Sequence, residues 1–389
     1  MNVKVIAVVV IVVVVAAGLG VFFLHQNMDK DKEINVISGV NTEGSGIFIK
    51  KSIDINTMFD FSTSVPTPKS AGWQGKVFST PGTSSIQHIQ ILTIVEEMGM
   101  SFTLYTGSTS APNTVYFITN IANAVAALGQ RDIIDGGILW QPQYQKVILD
   151  PGFKKLALTN DLFPGHACCV VAGYHGYTAS HENETVKFLA AIIKATDWVN
   201  EALKTGSGED YDLLITVALR VAGNNFDEAE IKDALETVTY YNGEKSSTPL
   251  IEIKGQMAVL AKNLERLGVT ANTLEDLGFS SGTQFVNKFA DERFIVKAHQ
   301  LIDGSGGTSG GGKLTNLRVA VIGGDIHQIA VHIAKELGYF KEYGLNVTFS
   351  TQLNGAGVAT AIQNGDSSFG LLGAPPLTIT VINGELVKA

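Results

Sequence analysis

Two stretches far apart in the chain carry apolar and polar positions in the same order. Residues 317–340, LRVAVIGGDIHQIAVHIAKELGYF, give an apolar run, a Gly-containing polar loop, and then Ile329, Val331, Ile333 and Ala334 at helical spacing. Residues 76–100, KVFSTPGTSSIQHIQILTIVEEMGM, repeat that order, with Ile86, Ile89, Leu92 and Val95 on the helical stripe. Each continues into a strand, NVTFS or SFTLY. Then GVATAIQNGDSSFGLLGAPPLT and NTVYFITNIANAVAALGQRDIIDGGILWQPQY each predict a helix, a turn with an acidic residue, and a strand running into a Pro-containing loop. Alternating strand and helix implies parallel sheets covered on both faces, whose ligands bind beyond the carboxyl ends of the strands. Two such units predict two α/β lobes with a cleft between them.

The pattern elsewhere fills in the lobes. Glu33–Lys51 and Ala167–Gly173 read as extended segments placed to cross between them. Glu182–Ala202, Tyr211–Val221, Glu228–Leu235, Pro249–Leu267 and Ser281–Leu301 read as helices broken by Gly and Asn clusters. Gly304–Gly312, GSGGTSGGG, has no apolar side chain to bury and reads as a flexible spacer. The unit after it looks like the opening of a domain, yet it lies near the carboxyl end. Joining TITVINGELVKA to EINVISGVNTEGSG gives an uninterrupted strand, turn and strand. The chain therefore reads as circularly permuted, with old ends joined by a spacer that spans at most about 30 Å. The expected organisation is a membrane anchor or signal segment at 1–32, a strand and crossover at 33–50, the second lobe at 51–165, part of the first lobe at 166–303, the spacer at 304–312, and the rest of the first lobe at 313–389.

Val5–Leu24 is an unbroken apolar run of bilayer-spanning length, so the remainder is expected to be exported, anchored to the membrane or secreted. A net charge of −9 offers no basic field for phosphates, which excludes a general nucleic-acid binder. The 389 residues are 45% hydrophobic and hold only two cysteines, the adjacent Cys168 and Cys169. Such a chain is held by its core rather than by a disulfide framework, and the pair reads as packing in a buried strand.

Candidate ligand contacts follow from the loops that end strands. In Ser79–His88, Pro81 and Gly82 shape a turn, and Thr83, Ser84 and Ser85 bring hydroxyls and free backbone N–H groups to a helix N-terminus, a natural cradle for an anion. In the matching loop, Gly323 and Gly324 admit close backbone approach, and His327 and Gln328 offer hydrogen-bond donors. His88 and His327 occupy comparable places in the two units. Asn41 and Thr42 open the loop NTEGS, Trp140 opens WQP, and Gly373, Ala374 and Pro375 lie in GAPP; all are expected to border the cleft, as is Asn354. No metal site is expected, because no carboxylate or Cys joins the histidines at ligand spacing. Nor is there HExxH or GK[ST], so neither catalysis nor a cofactor is expected.

The segments 317–349, 361–378 and 76–100 together resemble the nitrate/sulfonate/taurine-type solute-binding proteins of ABC importers, most specifically in GYF-x-x-x-GL. The resemblance runs from Glu33 to Ala389 once the order is rotated at the spacer. It implies a two-lobed periplasmic-binding-protein fold of type II, capture of a small, anionic solute, and a membrane permease as partner. It places first-lobe contacts at Gly324, Asp325, His327, Asn354 and Gly373–Pro375, and second-lobe contacts at Thr80, Gly82, Thr83, Ser84, Gln87 and Trp140. The cleft loops carry no Arg, which leaves hydroxyls, backbone N–H groups and His to hold charge. Two alternatives share the fold: thiamine-pyrimidine synthases, of whose Cys-rich strand this chain keeps two cysteines, and a membrane-anchored ligand sensor.

Overall fold

A computed structural model describes residues 33–241, 248–304, 313–384 and 386. In chain order its strands are β1 (Ile34–Glu43), β2 (Ser45–Lys50), β3 (Phe59–Asp60), β4 (Thr67–Pro68), β5 (Val77–Ser79), β6 (Ser101–Leu104) and β7 (Thr114–Ile118). They continue as β8 (Gly136–Trp140), β9 (Phe153–Leu158), β10 (Ala167–Tyr174), β11 (Val238–Tyr240), β12 (Thr315–Ile322), β13 (Leu345–Gln352) and β14 (Phe369–Gly373). Two six-stranded sheets form the frame of two lobes, ordered β11-β1-β10-β14-β12-β13 in the first and β6-β7-β5-β8-β2-β9 in the second. β3 and β4 make a separate small hairpin.

In the first lobe β12 pairs in parallel with β13 and β14, while β10 and β1 run antiparallel to what they flank. Strands covered on both faces read as continuous apolar runs, and Val319–Ile322 and Val170–Ala172 are buried accordingly. The motif GYF-x-x-x-GL has a local cause. Gly338, at φ 76°, and Gly344, at φ 78°, take the left-handed conformation at either end of the short helix Tyr339–Glu342. Phe340 then stacks on Phe188, and Leu345 enters β13 buried.

The second lobe shows period-two burial cleanly. Along β2, Ile47 and Ile49 join one apolar cluster with Trp73 and Phe78, while Phe48 joins another with Tyr144 and Phe153 on the opposite face. Here the structure departs from the repeat. The residues NTVYFIT begin as strand β7 rather than helix, and β7, not SFTLY, takes the place beside β5 that β13 takes beside β12. SFTLY becomes the edge strand β6, and the helix shrinks to Ala124–Gly129. The β-branched and aromatic run Thr114–Ile118 outweighs the alanine-rich stretch after it.

The helical block follows the sequence closely: Glu182–Thr205, Glu209–Ala222, Glu228–Leu235 and Thr248–Arg266 are helices, and the last expected helix is split into Gly282–Phe289 and Arg293–Ile302. Acidic residues in the first turn and Gly206 in the left-handed conformation bound the longest of them. Among the described residues no helix is long and apolar enough to cross a membrane; Val5–Leu24 and residues 305–312 of the spacer lie outside the described residues.

Chain crossings set the relation between the lobes. β1 leaves the first sheet and becomes β2 of the second at Glu43 and Gly44, at φ 67° and 83°. The return crossing is the stretch 159–166, not Ala167–Gly173, which belongs wholly to the first sheet as β10. Side chains also tie the lobes on two flanks. Lys146 bonds Glu230 at 2.7 Å and Gln145 donates to Asp233 at 2.9 Å. On the other flank Arg266 pairs with Glu96.

Candidate functional site

The ends of β5, β8, β10, β12 and β14 meet around a cavity of about 70 Å³ between the two lobes. From the second lobe, Gly82, Ser84, Gln87 and Trp140 line it, joined by Pro81, Ser85 and Ile86. From the first lobe come Asp325, His327, Asn354 and Gly373. Gly355 and Pro376, from the expected turn and the GAPP loop, line it too; sequence reasoning missed Cys168, Cys169, Ile322 and Ala356, which complete that wall.

Three helices begin at the cavity. Ser85 caps Ile86–Glu97 by accepting from the His88 N–H at 3.1 Å, and Asn354 caps Gly355–Gln363 by accepting from the Gly357 N–H at 3.0 Å. Each cap satisfies the third N–H of its helix. The first two, on Ile86 and Gln87 and on Gly355 and Ala356, belong to residues that line the cavity. A helix N-terminus offers unpaired donors and the positive end of the macrodipole, so two of them facing across a cavity favour negative charge. The third helix, Ala374–Asn383, adds its dipole but few donors, because Pro375 and Pro376 carry no N–H.

The charged groups in the wall neutralise each other. His327 Nδ1 lies 2.6 Å from Asp325 Oδ1, and its Nε2 lies 2.8 Å from the Gly44 carbonyl oxygen. Burial pulls the imidazole down, but the Asp325 charge, the neighbouring Cys168 and both hydrogen bonds outweigh it and lift its pKa to about 9. His327 is therefore a protonated double donor at neutral pH, held as an ion pair. The Gly44 carbonyl also accepts from the Gln141 N–H at 2.9 Å, so the crossover between lobes is gripped from both sides.

Several expected contacts stand away from the cavity. Asn41 and Thr42 are not in a loop: they lie buried within β1, where Asn41 pairs with Cys169 and with Tyr240. Thr80 and His88 are buried behind the wall, His88 Nδ1 lying 3.0 Å from Thr80 Oγ1 and its ring against Phe102 and Phe117. Gln328 is spent on structure, accepting from the Ile322 N–H and donating to the Leu371 carbonyl. Gly324 supplies the turn at φ 72°, Ala374 and Pro375 are buried in the first turn of their helix, and Thr83 faces solvent.

Burial pushes His88, and likewise His332, down to about 4. An unfolded histidine binds its proton near pH 6.5, so their stability is full above that value and is lost as pH falls toward 4. Urea unfolding is expected to show each histidine steepening the acid loss by up to about 1.4 kcal/mol per pH unit. His88→Gln, which can still bond Thr80 but cannot charge, flattens its share of that slope. An unchanged slope would show that His88 is not held neutral.

The half of the wall built by His327, Asn354 and Gly373 falls within one recognisable stretch. Residues 326–389 match the family described as NMT1/THI5 like. No curated protein matches the chain. Similar solved structures include the periplasmic nitrate-binding protein NrtA from Synechocystis PCC 6803, at 11% identity and TM-score 0.47, covering 69% of this chain and 68% of that one. The alkanesulfonate-binding protein SsuA from Xanthomonas axonopodis pv. citri, bound to MOPS, aligns at 12% identity and TM-score 0.44 over 68% and 76% of the two chains. The ligand-binding component of an ABC-type import system from Staphylococcus aureus, with zinc bound, aligns at 14% identity and TM-score 0.43 over 70% and 77%. The NMT1/THI5-like match covers both the cap of Gly355–Gln363 and the start of Ala374–Asn383, two of the three helices that begin at the cavity.

Proposed function

We propose that this protein is the extracytoplasmic solute-binding component of an ABC importer, closing its two lobes over a small oxyanion and passing it to a membrane permease. The observation that carries the reading is the facing pair of helix N-termini, one from each lobe, whose first N–H groups belong to cavity-lining residues. Among the described residues no Arg or Lys lines the cavity, and the His327–Asp325 pair is neutral as a unit, so backbone donors, Ser84 and Gln87 carry the anion. Trp140 and Ile86 supply an apolar wall for an organic substituent. Because both lobes contribute donors, closure and binding are one event, and the ties Lys146–Glu230 and Arg266–Glu96 add to the closed state.

Heat-unfolding scans with nitrate, bicarbonate, aliphatic sulfonates and phosphonates test this reading, with neutral pyrimidines as the contrasting class. One anion class is expected to raise the midpoint, since a solute at about 100 times its Kd adds about 2.7 kcal/mol. Ser84→Ala is expected to weaken that shift without lowering the midpoint of the free protein. No shift with any anion would end the proposal.

The order of elements also supports circular permutation as part of the proposal, although TITVIN at the join lies in the helix Ala374–Asn383 rather than in the expected strand. Thr315 begins β12 at the end of the first sheet opposite Ile322, and Ile34 pairs with Tyr174 at the end of β1 opposite the cavity. Both junctions thus fall away from the site. Proteolytic cutting within Gly304–Gly312 is expected to leave solute binding intact, and loss of binding by a folded, cut protein would contradict it.

A further inference from the structure

The two cysteines are the feature of the cavity that anion binding leaves unused. Consecutive residues of a strand point to opposite faces, so both thiols should not reach one cavity. They do so because β10 carries a bulge. Asn41 pairs with Cys169 and its neighbour Thr42 pairs with Ala167, which leaves Cys168 as the extra residue with no partner on β1. Both residues therefore line the cavity, with their sulfurs 3.8 Å apart. On the other side Cys169 faces Gly373 of β14, which has no side chain to cover it. Both cysteines are free.

The spacing selects the chemistry. A disulfide needs about 2.05 Å between the sulfurs, far shorter than this separation. A single soft atom bound to both at about 2.3 Å, the length of a zinc–thiolate bond, at the roughly 100° angle of a pyramidal three-coordinate centre spans about 3.5 Å, close to this separation. A metal ion would need further protein ligands, and among the described residues no three His, Cys, Asp or Glu side chains converge to hold one. A centre that takes only two thiols and brings its own third substituent needs none. We propose that Cys168 and Cys169 form a dithiol site for trivalent arsenicals inside the interlobe cavity.

The step is a condensation without redox change. In R–As(OH)2 the two As–O bonds break, two As–S bonds form to Cys168 and Cys169, and the two hydroxyls leave as water with the thiol protons. Arsenic stays trivalent, so no oxidant or reductant takes part. The positions favour attack by Cys168 first: the hydrogen bond from Cys169 holds its thiol below the ordinary range, against burial and with help from the positive charge of His327. The hydrogen bond with Cys168 and then burial push Cys169 well up, leaving it as the thiol that closes the bridge.

Intact-mass analysis of the full chain after incubation with phenylarsonous acid tests the site. Because the chain has only these two cysteines, the result expected is one phenylarsenic per molecule, stable to excess 2-mercaptoethanol and released by 2,3-dimercaptopropanol. Cys168→Ser and Cys169→Ser each lose the monothiol-resistant adduct. Should either variant fail to fold, the native wild type decides: the arsenical must protect both thiols from iodoacetamide together. No adduct on the folded wild type, an equally resistant adduct on a single-cysteine variant, or protection of one thiol alone would overturn the proposal. The adduct does not depend on the anion reading, so a protein that takes the arsenical but shifts with no anion separates the two.

Discussion

Gly44→Ala is expected to be among the most damaging single-methyl additions in the chain. Gly44 sits at φ 83°, and a Cβ there would lie 2.1 Å from His327 Nε2 and 2.8 Å from Val238 Cγ2. The left-handed conformation strains any other residue, at a cost of about 1–3 kcal/mol. The methyl also expels the imidazole from the Gly44 carbonyl, removing a charge-assisted hydrogen bond worth about 1.5–3 kcal/mol. Together these imply a loss of at least about 3 kcal/mol, or a fall in Tm of roughly 6–12 °C at 2–4 °C per kcal/mol. Gly99→Ala is the control, because Gly99 has φ 67° but open space around its Cβ, so it suffers the backbone strain alone. If the two variants unfold at the same temperature, the contact between the crossover and His327 contributes nothing.

The second large effect lies in the ion pair itself. Asp325→Ala leaves a buried imidazolium without its partner, and breaking a buried pair from one side costs about 3–5 kcal/mol. The pH dependence gives an independent reading of the same contact. The folded pKa of about 9 lies above the ordinary 6.5, so the stabilisation is complete below pH 6.5, declines between 6.5 and 9, and is gone above 9. That window corresponds to about 3.5 kcal/mol at about 1.4 kcal/mol per unit. Urea unfolding at pH 6.5 and pH 9.5 should therefore show the wild type losing stability on the alkaline side and His327→Gln losing far less. An equal alkaline loss in both would place the titrating group elsewhere. Taken with the acid sensitivity of His88 and His332, greatest stability is expected near pH 6.5.

The architecture was readable because its signals are long. Buried parallel strands make apolar runs, and a helical stripe such as Ile86 to Val95 spans several turns, so strand-helix-strand order survives errors at any one residue. Which loops meet was readable for the same reason: Ser84, Gln87, Asp325, His327 and Asn354 all follow strands whose carboxyl ends face one another. Apart from NTVYFIT, a strand where a helix was expected, and TITVIN, a helix where a strand was expected, the failures are one-residue matters. A bulge at Cys168 brings both cysteines to the cavity, and the left-handed turn is confined to Glu43 and Gly44 within the expected loop, which keeps Asn41 and Thr42 inside β1. Neither leaves a trace in hydrophobic period. His88 and His327 looked equivalent by position, yet one is buried neutral among aromatic rings and the other is charged against Asp325; the presence of Asp325 two residues earlier was the available signal.

The central claim is that an anion sits between the two facing helix N-termini. A crystal structure of the protein grown with the solute that most raises its unfolding midpoint tests it directly. The account predicts electron density for the anion's oxygens within hydrogen-bond distance of the backbone N–H groups of Ile86 or Gln87 and of Gly355 or Ala356, with Trp140 against its organic part. An anion bound outside this cavity, or one held by the first lobe alone with the second lobe swung away, would contradict it.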